Sequence, residues 1–122
     1  MKLVYIASPL SGDIDGNVEK ARKYCRFAVE QGANPYCPHV FLTQFMNDAD
    51  PAERKLAMRM GKQVLQKCDE LWCFCDQPSA GMREEMEYAK TLGIPIRQFP
   101  AMPEPEMVQE RGEEFCISIQ AI

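Results

Sequence analysis

Short runs of apolar residues alternate along the chain with longer segments in which apolar positions recur every three or four residues. The apolar runs predict four buried strands, at residues 2–7, 34–37, 69–75 and 94–99. The periodic segments predict three helices, at residues 17–31, 51–67 and 82–92. Strands and helices that alternate through short connections are typical of a parallel sheet covered on both faces. The pattern therefore predicts a three-layer α/β/α domain.

Polar residues and prolines indicate where these elements begin and end. Asp15 or Asn17 is expected to cap the first helix, and Asp50-Pro51 is a start signal for the second. Pro95 fits an early or edge position in the fourth strand. The aromatic stretch 38–50 is expected to be a long loop.

The last twenty or so residues differ from the rest of the chain. Residues 100–114 are rich in proline and glutamate, which predicts a linker or a loose helix, and residues 115–122 alternate apolar and polar positions like a final strand. This strand completes the sheet as a fifth member or packs on a second subunit. We therefore expect an α/β domain over 1–99 and an extension over 100–122 that contacts a neighbour in a homo-oligomer.

Composition and charge narrow the class of protein. The 122 residues, 46% hydrophobic and 26% charged, suit one folded domain, and the net charge of -4 argues against binding a nucleic-acid polymer. No apolar run approaches the roughly 20 residues that cross a membrane. The first residues predict a strand and not a signal peptide, so we expect a cytoplasmic protein. In that reducing compartment the six cysteines are expected to be free thiols.

Three loops are expected to meet where the parallel strands end, which is where such sheets bind ligands. They cover residues 8–16, 38–50 and 76–81. Two of them are rich in serine and glycine and lead into helix N-termini, whose free N–H groups suit a phosphate or carboxylate. Turn formation alone also explains these residues, but the two loops together favour an anion site. Neither is a P-loop or a GxGxxG motif.

Glu85 falls among the apolar positions of its predicted helix, with Met82, Met86 and Ala89. A buried carboxylate is costly without a partner, so Glu85 is a candidate nucleophile or general base, although local pairing is the alternative. Tyr5 lies near the end of the first strand. Its hydroxyl either reaches the same pocket or belongs to an ordinary core tyrosine.

His39 is the single histidine, and it either contacts substrate or lies on the surface. The sequence has no CxxC pair, and its cysteines fit small core positions. No metal and no cofactor are therefore expected.

Two motifs resemble the nucleoside 2-deoxyribosyltransferase superfamily. Residues 5–9, Tyr-Ile-Ala-Ser-Pro, are similar to its opening strand and loop. Residues 69–85 resemble its second motif, with an aspartate opening the third strand, a Ser-x-Gly turn, and a glutamate four residues after the glycine. Pro38-His-Val40 is similar to a substrate loop in the deoxynucleoside 5′-monophosphate N-glycosidases. The resemblance covers about residues 2–99 and is closest to small bacterial or phage proteins.

The resemblance implies a flavodoxin-like, Rossmann-like fold with a sheet of four to five strands, acting at an N-glycosidic bond. The partner would be a small molecule, a (deoxy)nucleoside or its 5′-monophosphate. Glu85 would be the nucleophile, and Tyr5 would position it. The substrate-binding residues would be Ser8, Pro9, Gly12, His39, Ser79 and Gly81.

The sequence departs from this superfamily at two positions. Gly61 stands where a second catalytic aspartate is usual, eight residues before Asp69. Asp69, Asp76 or Asp13 would have to replace that aspartate, and Asp69 is the first of these candidates. Ser11 stands where the monophosphate branch has an arginine. These differences leave open a non-catalytic nucleotide-binding module on the same fold, and a flavin-binding redox protein as a further alternative.

Overall fold

The computed structural model describes residues 1–103. Its four strands are β1 (Leu3–Ala7), β2 (Asn34–Tyr36), β3 (Glu70–Phe74) and β4 (Ile96–Phe99). Its helices are α1 (Ile14–Glu30), α2 (Pro38–Phe41), α3 (Pro51–Leu65) and α4 (Ala80–Thr91), with a 3₁₀ turn at Leu42–Gln44. All strand pairs are parallel, in the order β2-β1-β3-β4. The predicted α/β fold with a parallel sheet is confirmed.

Side chains alternate between the two faces of the sheet and build two separate cores. On the first face, Val4, Ile6, Trp72 and Phe74 pack against α1. Tyr24 of α1 stacks on Phe74 with ring centroids 4.5 Å apart. The second face is covered by α3 and α4, and its core includes Tyr5, Ala7, Leu65, Leu71, Cys73, Met82 and Ala89. Tyr5 therefore points toward the side of the sheet that holds Glu85.

Several predicted boundaries were wrong. The cap of α1 is Asp13, whose side chain accepts a hydrogen bond from the backbone N–H of Gly16. The helix therefore begins two residues earlier than a cap at Asp15 would place it, and four residues earlier than a cap at Asn17 would. The aromatic stretch after β2 is not a plain loop, because Pro38 begins helix α2. β4 is an edge strand, which fits the prediction for Pro95, but it begins at Ile96, so Pro95 precedes the strand and does not lie within it. The predicted final strand at 115–122 lies outside the described residues.

Candidate functional site

A hydrogen bond between Tyr5 and Glu85 lies at the centre of the candidate site. Tyr5 is in the central part of the sheet and is 2% exposed. Its hydroxyl donates to Oε2 of Glu85, in the second turn of α4. The prediction that both side chains reach one pocket agrees with this contact. The strand fixes the tyrosine, and the helix brings the carboxylate to it.

Burial controls the ionisation of both partners. It raises the pKa of Glu85 from 4.5 to about 7, and nearby Glu84 adds to this effect. The hydrogen bond from Tyr5 and the charge of Lys62 act in the opposite direction. Burial and the neighbouring Glu85 raise the pKa of Tyr5 well above its usual value. Near neutral pH, Tyr5 is therefore a proton donor, and Glu85 is divided between its acid and carboxylate forms.

Two adjoining cavities meet at Glu85. The wider cavity, of about 400 Å³, has both polar and apolar walls and includes Ser8, Ser11, Lys62, Ser79, Ala80, Gly81 and Glu84. The narrower cavity, of about 80 Å³, includes Tyr5, Pro38, Leu42, Thr43, Met46, Asn47, Glu53 and Ala57. Six residues line both: Leu10, His39, Asp48, Arg54, Met58 and Glu85. A substrate with its reacting atom beside Glu85 would extend one end into each cavity.

The wide cavity presents hydrogen-bonding groups suited to an anion or a sugar hydroxyl. Helix α4 begins here, with Ser79 as its cap, so its positive dipole end faces the cavity. Ser8 is 1% exposed, and its hydroxyl is the buried polar side-chain atom, among residues 1–103, that has no hydrogen-bond partner. Buried hydroxyls normally have a partner, and a ligand in this cavity would supply one. Lys62 also lines this cavity, where its ammonium group lies 3.3 Å from the Glu84 carboxylate.

The segment 38–58 supplies most of the residues that line the narrow cavity, and the surface of that cavity is mainly apolar. His39 lies at its junction with the wide cavity. Burial lowers the pKa of His39, although Asp48 and a hydrogen bond with the Ser8 backbone oppose this effect. The imidazole is therefore neutral at pH 7, and the bond to Ser8 links α2 to the loop after β1.

The structure brings together most of the predicted site residues. Ser8, His39, Ser79 and Gly81 line a cavity together with Glu85. Tyr5 lines the narrow cavity. Their roles toward a substrate stay predictions.

Three predicted site residues lie elsewhere. Asp69 is at the amino end of β3, where its carboxylate accepts a hydrogen bond from the Leu3 backbone N–H at 2.8 Å. The candidate site is at the opposite, carboxyl edge, so the structure does not bring Asp69 together with Tyr5 and Glu85. Gly12 forms an exposed turn with φ +96° outside both cavities. Pro9 lines a separate cavity with Asp76.

Other residues in the cavities were missed at the sequence level. They are Leu10, Asp48, Arg54, Met58, Lys62 and Glu84. A helical spacing of four relates Arg54, Met58 and Lys62, which would have placed all three on one face of α3. That face also includes position 61, so the spacing was the available signal.

Neither a metal-binding group nor a membrane-spanning helix is found in the part of the chain that the structure describes. No set of three or more histidine, cysteine, aspartate or glutamate side chains within residues 1–103 is arranged to hold a metal ion. None of the described helices is long and apolar enough to cross a membrane.

Comparisons with known proteins identify a family and a set of similar folds. The family model described as "Domain of unknown function (DUF7768)" matches residues 2–99. No curated protein sequence matches the chain. One similar structure is a 2-deoxyribosyltransferase from Bacillus psychrosaccharolyticus, with 18% identity and a TM-score of 0.61 over 89% of this chain and 81% of that one.

Two further structures have similar folds at comparable identity. A 2-desoxiribosyltransferase from Leishmania mexicana is 19% identical with a TM-score of 0.57, over 82% of this chain and 65% of that one. A conserved protein from Enterococcus faecalis V583 is 20% identical with a TM-score of 0.53, over 99% of this chain and 74% of that one. At these identities the likeness establishes a shared fold.

Proposed function

This chain belongs to the DUF7768 family, and we propose that it cleaves or transfers the N-glycosidic bond of a (deoxy)nucleoside or nucleoside 5′-monophosphate, with Glu85 as nucleophile. The observation that carries the proposal is the hydrogen-bonded pair of the buried Tyr5 and the partly buried Glu85, at the junction of two unlike cavities. The fold shared with two deoxyribosyltransferases supports the same reaction class.

The shapes of the cavities support one orientation of the substrate. The apolar walls of the narrow cavity suit a flat heterocyclic base. The start of α4, the unpartnered Ser8 hydroxyl and Lys62 suit the sugar hydroxyls and a 5′-phosphate. In this orientation the anomeric carbon lies beside Glu85, where the cavities meet.

The pair Tyr5–Glu85 suits displacement at that carbon. The ionised carboxylate attacks the anomeric carbon, the bond to the base breaks with its electron pair leaving on the base, and a glycosyl ester forms on Glu85. Tyr5 donates to one carboxylate oxygen and so orients the other for attack. Water or a second base then resolves the ester.

Release of free base from a substrate panel tests the proposal. Purified protein is incubated with the common deoxynucleosides, ribonucleosides and their 5′-monophosphates, and bases are separated by chromatography. Glu85→Gln is expected to lower release by at least about 10³-fold, because a neutral amide is a far weaker nucleophile than a carboxylate.

Glu87→Gln is the matched control, because Glu87 lies on the same helix but is exposed and outside both cavities. It is expected to retain wild-type release. The proposal fails if the wild-type protein releases no base from any member of the panel, or if Glu85→Gln is as active as the wild type.

A non-catalytic nucleotide-binding module is the second candidate, and Gly61 is the observation that favours it. That position lacks the carboxylate expected from the resemblance. Such a module would melt at a higher temperature with a nucleotide, and would leave that nucleotide intact overnight. Turnover of the stabilising nucleotide would exclude this candidate.

A further inference from the structure

Position 61 has no room for a second carboxylate while Tyr5 contacts Glu85. A Cβ atom at Gly61 would lie 2.8 Å from the Tyr5 hydroxyl oxygen, closer than such atoms approach. A glycosyl ester on Glu85 still needs a group that removes a proton from the incoming water or base. This group must come from another element of the site.

We propose that Asp48 is the second carboxylate of the site and acts as the general base in the resolving step. The inference rests on the proposed function. Asp48 lies in the loop before α3, and it lines both cavities, as Glu85 does. Its side chain is 19% exposed, so it is enclosed but reachable from the cavity.

The other carboxylates that line the cavities have different partners. Oε1 of Glu53 accepts a hydrogen bond from the Asn47 backbone N–H at 3.0 Å, which holds the loop. Glu84 is 49% exposed and lies 3.3 Å from Lys62. Within residues 1–103, Asp48 is therefore the carboxylate that is both enclosed and shared with Glu85 by the two cavities.

The surrounding loop fixes Asp48 in place. Arg54 Nη2 donates to Asp48 Oδ2 at 3.0 Å, which leaves the second carboxylate oxygen for a substrate. Asn47 Oδ1 accepts from the Ala49 backbone N–H at 3.0 Å, and Asp50 caps α3. Because the residues before and after Asp48 are fixed by these hydrogen bonds, its carboxylate keeps a defined position, as general base catalysis requires.

In the resolving step, water hydrolyses the glycosyl ester on Glu85. The water oxygen attacks the anomeric carbon, and the bond from that carbon to Glu85 breaks with its electron pair returning to the carboxylate. The water proton passes to Asp48, which then releases it to solvent. When a second base replaces water, its N–H proton takes the same route.

Rapid-quench kinetics of Asp48→Asn test this role with a substrate that the wild type cleaves. The asparagine keeps the size of the side chain but accepts no proton. We expect one equivalent of base to be released in a burst, followed by steady-state release about 10²-fold slower than wild type or more. Intact mass spectrometry should show the glycosyl ester accumulating.

Rescue by azide distinguishes a chemical role of Asp48 from a structural one. Azide attacks without giving up a proton, so it should accelerate Asp48→Asn with formation of a glycosyl azide and leave the wild-type rate unchanged. Asp48→Glu, which keeps a carboxylate, should recover part of the rate. Glu87→Gln, outside both cavities, serves as the matched control and should behave as wild type.

The outcomes separate this inference from the function on which it rests. If the wild type turns over and Asp48→Asn turns over at the same rate, the role of Asp48 is overturned and the proposed function is not. A burst slowed as much as the steady state, with no response to azide, has the same consequence. A wild-type protein that releases no base overturns the proposed function and this inference together.

Discussion

Burial and hydrogen bonding shift the pKa of the Glu85 carboxyl group in opposite directions. Burial favours its neutral form, whereas the Tyr5 hydroxyl and the charge of Lys62 favour the ion. The result is a carboxyl group with a pKa of about 7, where both forms are populated at neutral pH. A less buried carboxylate would ionise earlier but would be a poorer nucleophile, because water would solvate it.

The pH dependence of the reaction should report the pKa of Glu85. If Glu85 attacks as a carboxylate, kcat/KM for an uncharged deoxynucleoside rises with pH, with an apparent pKa of about 7. Tyr5→Phe removes the donor that stabilises the ion, so it should move this rise to higher pH. Initial rates from pH 5 to 9 measure both effects. A rate that falls through the same range would assign Glu85 as an acid.

Residue spacing was enough to single out Glu85 but not Asp48. Glu85 lies among apolar positions of a regular helix, so its inward direction follows from about 3.6 residues per turn. Asp48 lies in an irregular segment, where no period relates sequence position to direction. Its proximity to Glu85 depends on the path of the chain between α2 and α3, which only the three-dimensional structure shows.

At the level of elements, helix α3 approaches β1 closely because Gly61 has no side chain. The Tyr5 hydroxyl occupies the space that a side chain would take. The same glycine thus removes a potential carboxylate and makes room for the hydroxyl that contacts Glu85. A glycine inside a helix makes that helix about 1 kcal/mol less stable than an alanine would. The close packing of α3 against β1 offsets this cost.

A double-mutant cycle at positions 61 and 5 tests this arrangement. Gly61→Ala should displace the Tyr5 hydroxyl and lower activity about tenfold or more, because small shifts at a reacting centre are costly. In the Tyr5→Phe background the added methyl group meets no hydroxyl. Gly61→Ala should then stabilise the protein, by up to about 1 kcal/mol.

Urea unfolding and base release of the four proteins give the coupling between the two positions. Equal effects of Gly61→Ala in both backgrounds would show that the two side chains do not interact.

The regular elements could be predicted better than the connections. Continuous apolar runs predicted β1 and β3 because both faces of a parallel sheet are covered. Helix α2 was missed because four residues are too few to show a helical period, and its aromatic Phe41 is half exposed. The position of Asp69 away from the Tyr5–Glu85 pair could not be predicted, because a motif gives the order of residues but not the edge of the sheet at which each one lies.

For the whole molecule, Glu85 should make the fold less stable as pH rises. Its pKa is raised in the folded state from 4.5 to about 7, so the folded protein binds the extra proton. The stability associated with this proton is complete below pH 4.5 and is lost as pH rises through 7.

The wild type should therefore lose up to about 3 kcal/mol relative to Glu85→Gln between pH 4.5 and 8. Urea unfolding of both proteins at several pH values measures the difference. Because other titrating groups are common to both proteins, parallel curves would contradict the raised pKa.

We also predict that the chain forms a homo-oligomer. Phe41 and Phe45 are exposed and lie with ring centroids 5.2 Å apart, which forms an apolar surface that a neighbour would cover. Light scattering at micromolar concentration should give a multiple of the 13.9 kDa chain mass. A monomeric mass would contradict the prediction.

The contact between Tyr5 and Glu85 joins positions 80 residues apart. Neither half of the domain holds the pair, so a chain still on the ribosome cannot form this contact until α4 has emerged and docked on the sheet. The proposed reaction would thus begin only with a completed fold, and a growing chain or a proteolytic fragment would not carry it out.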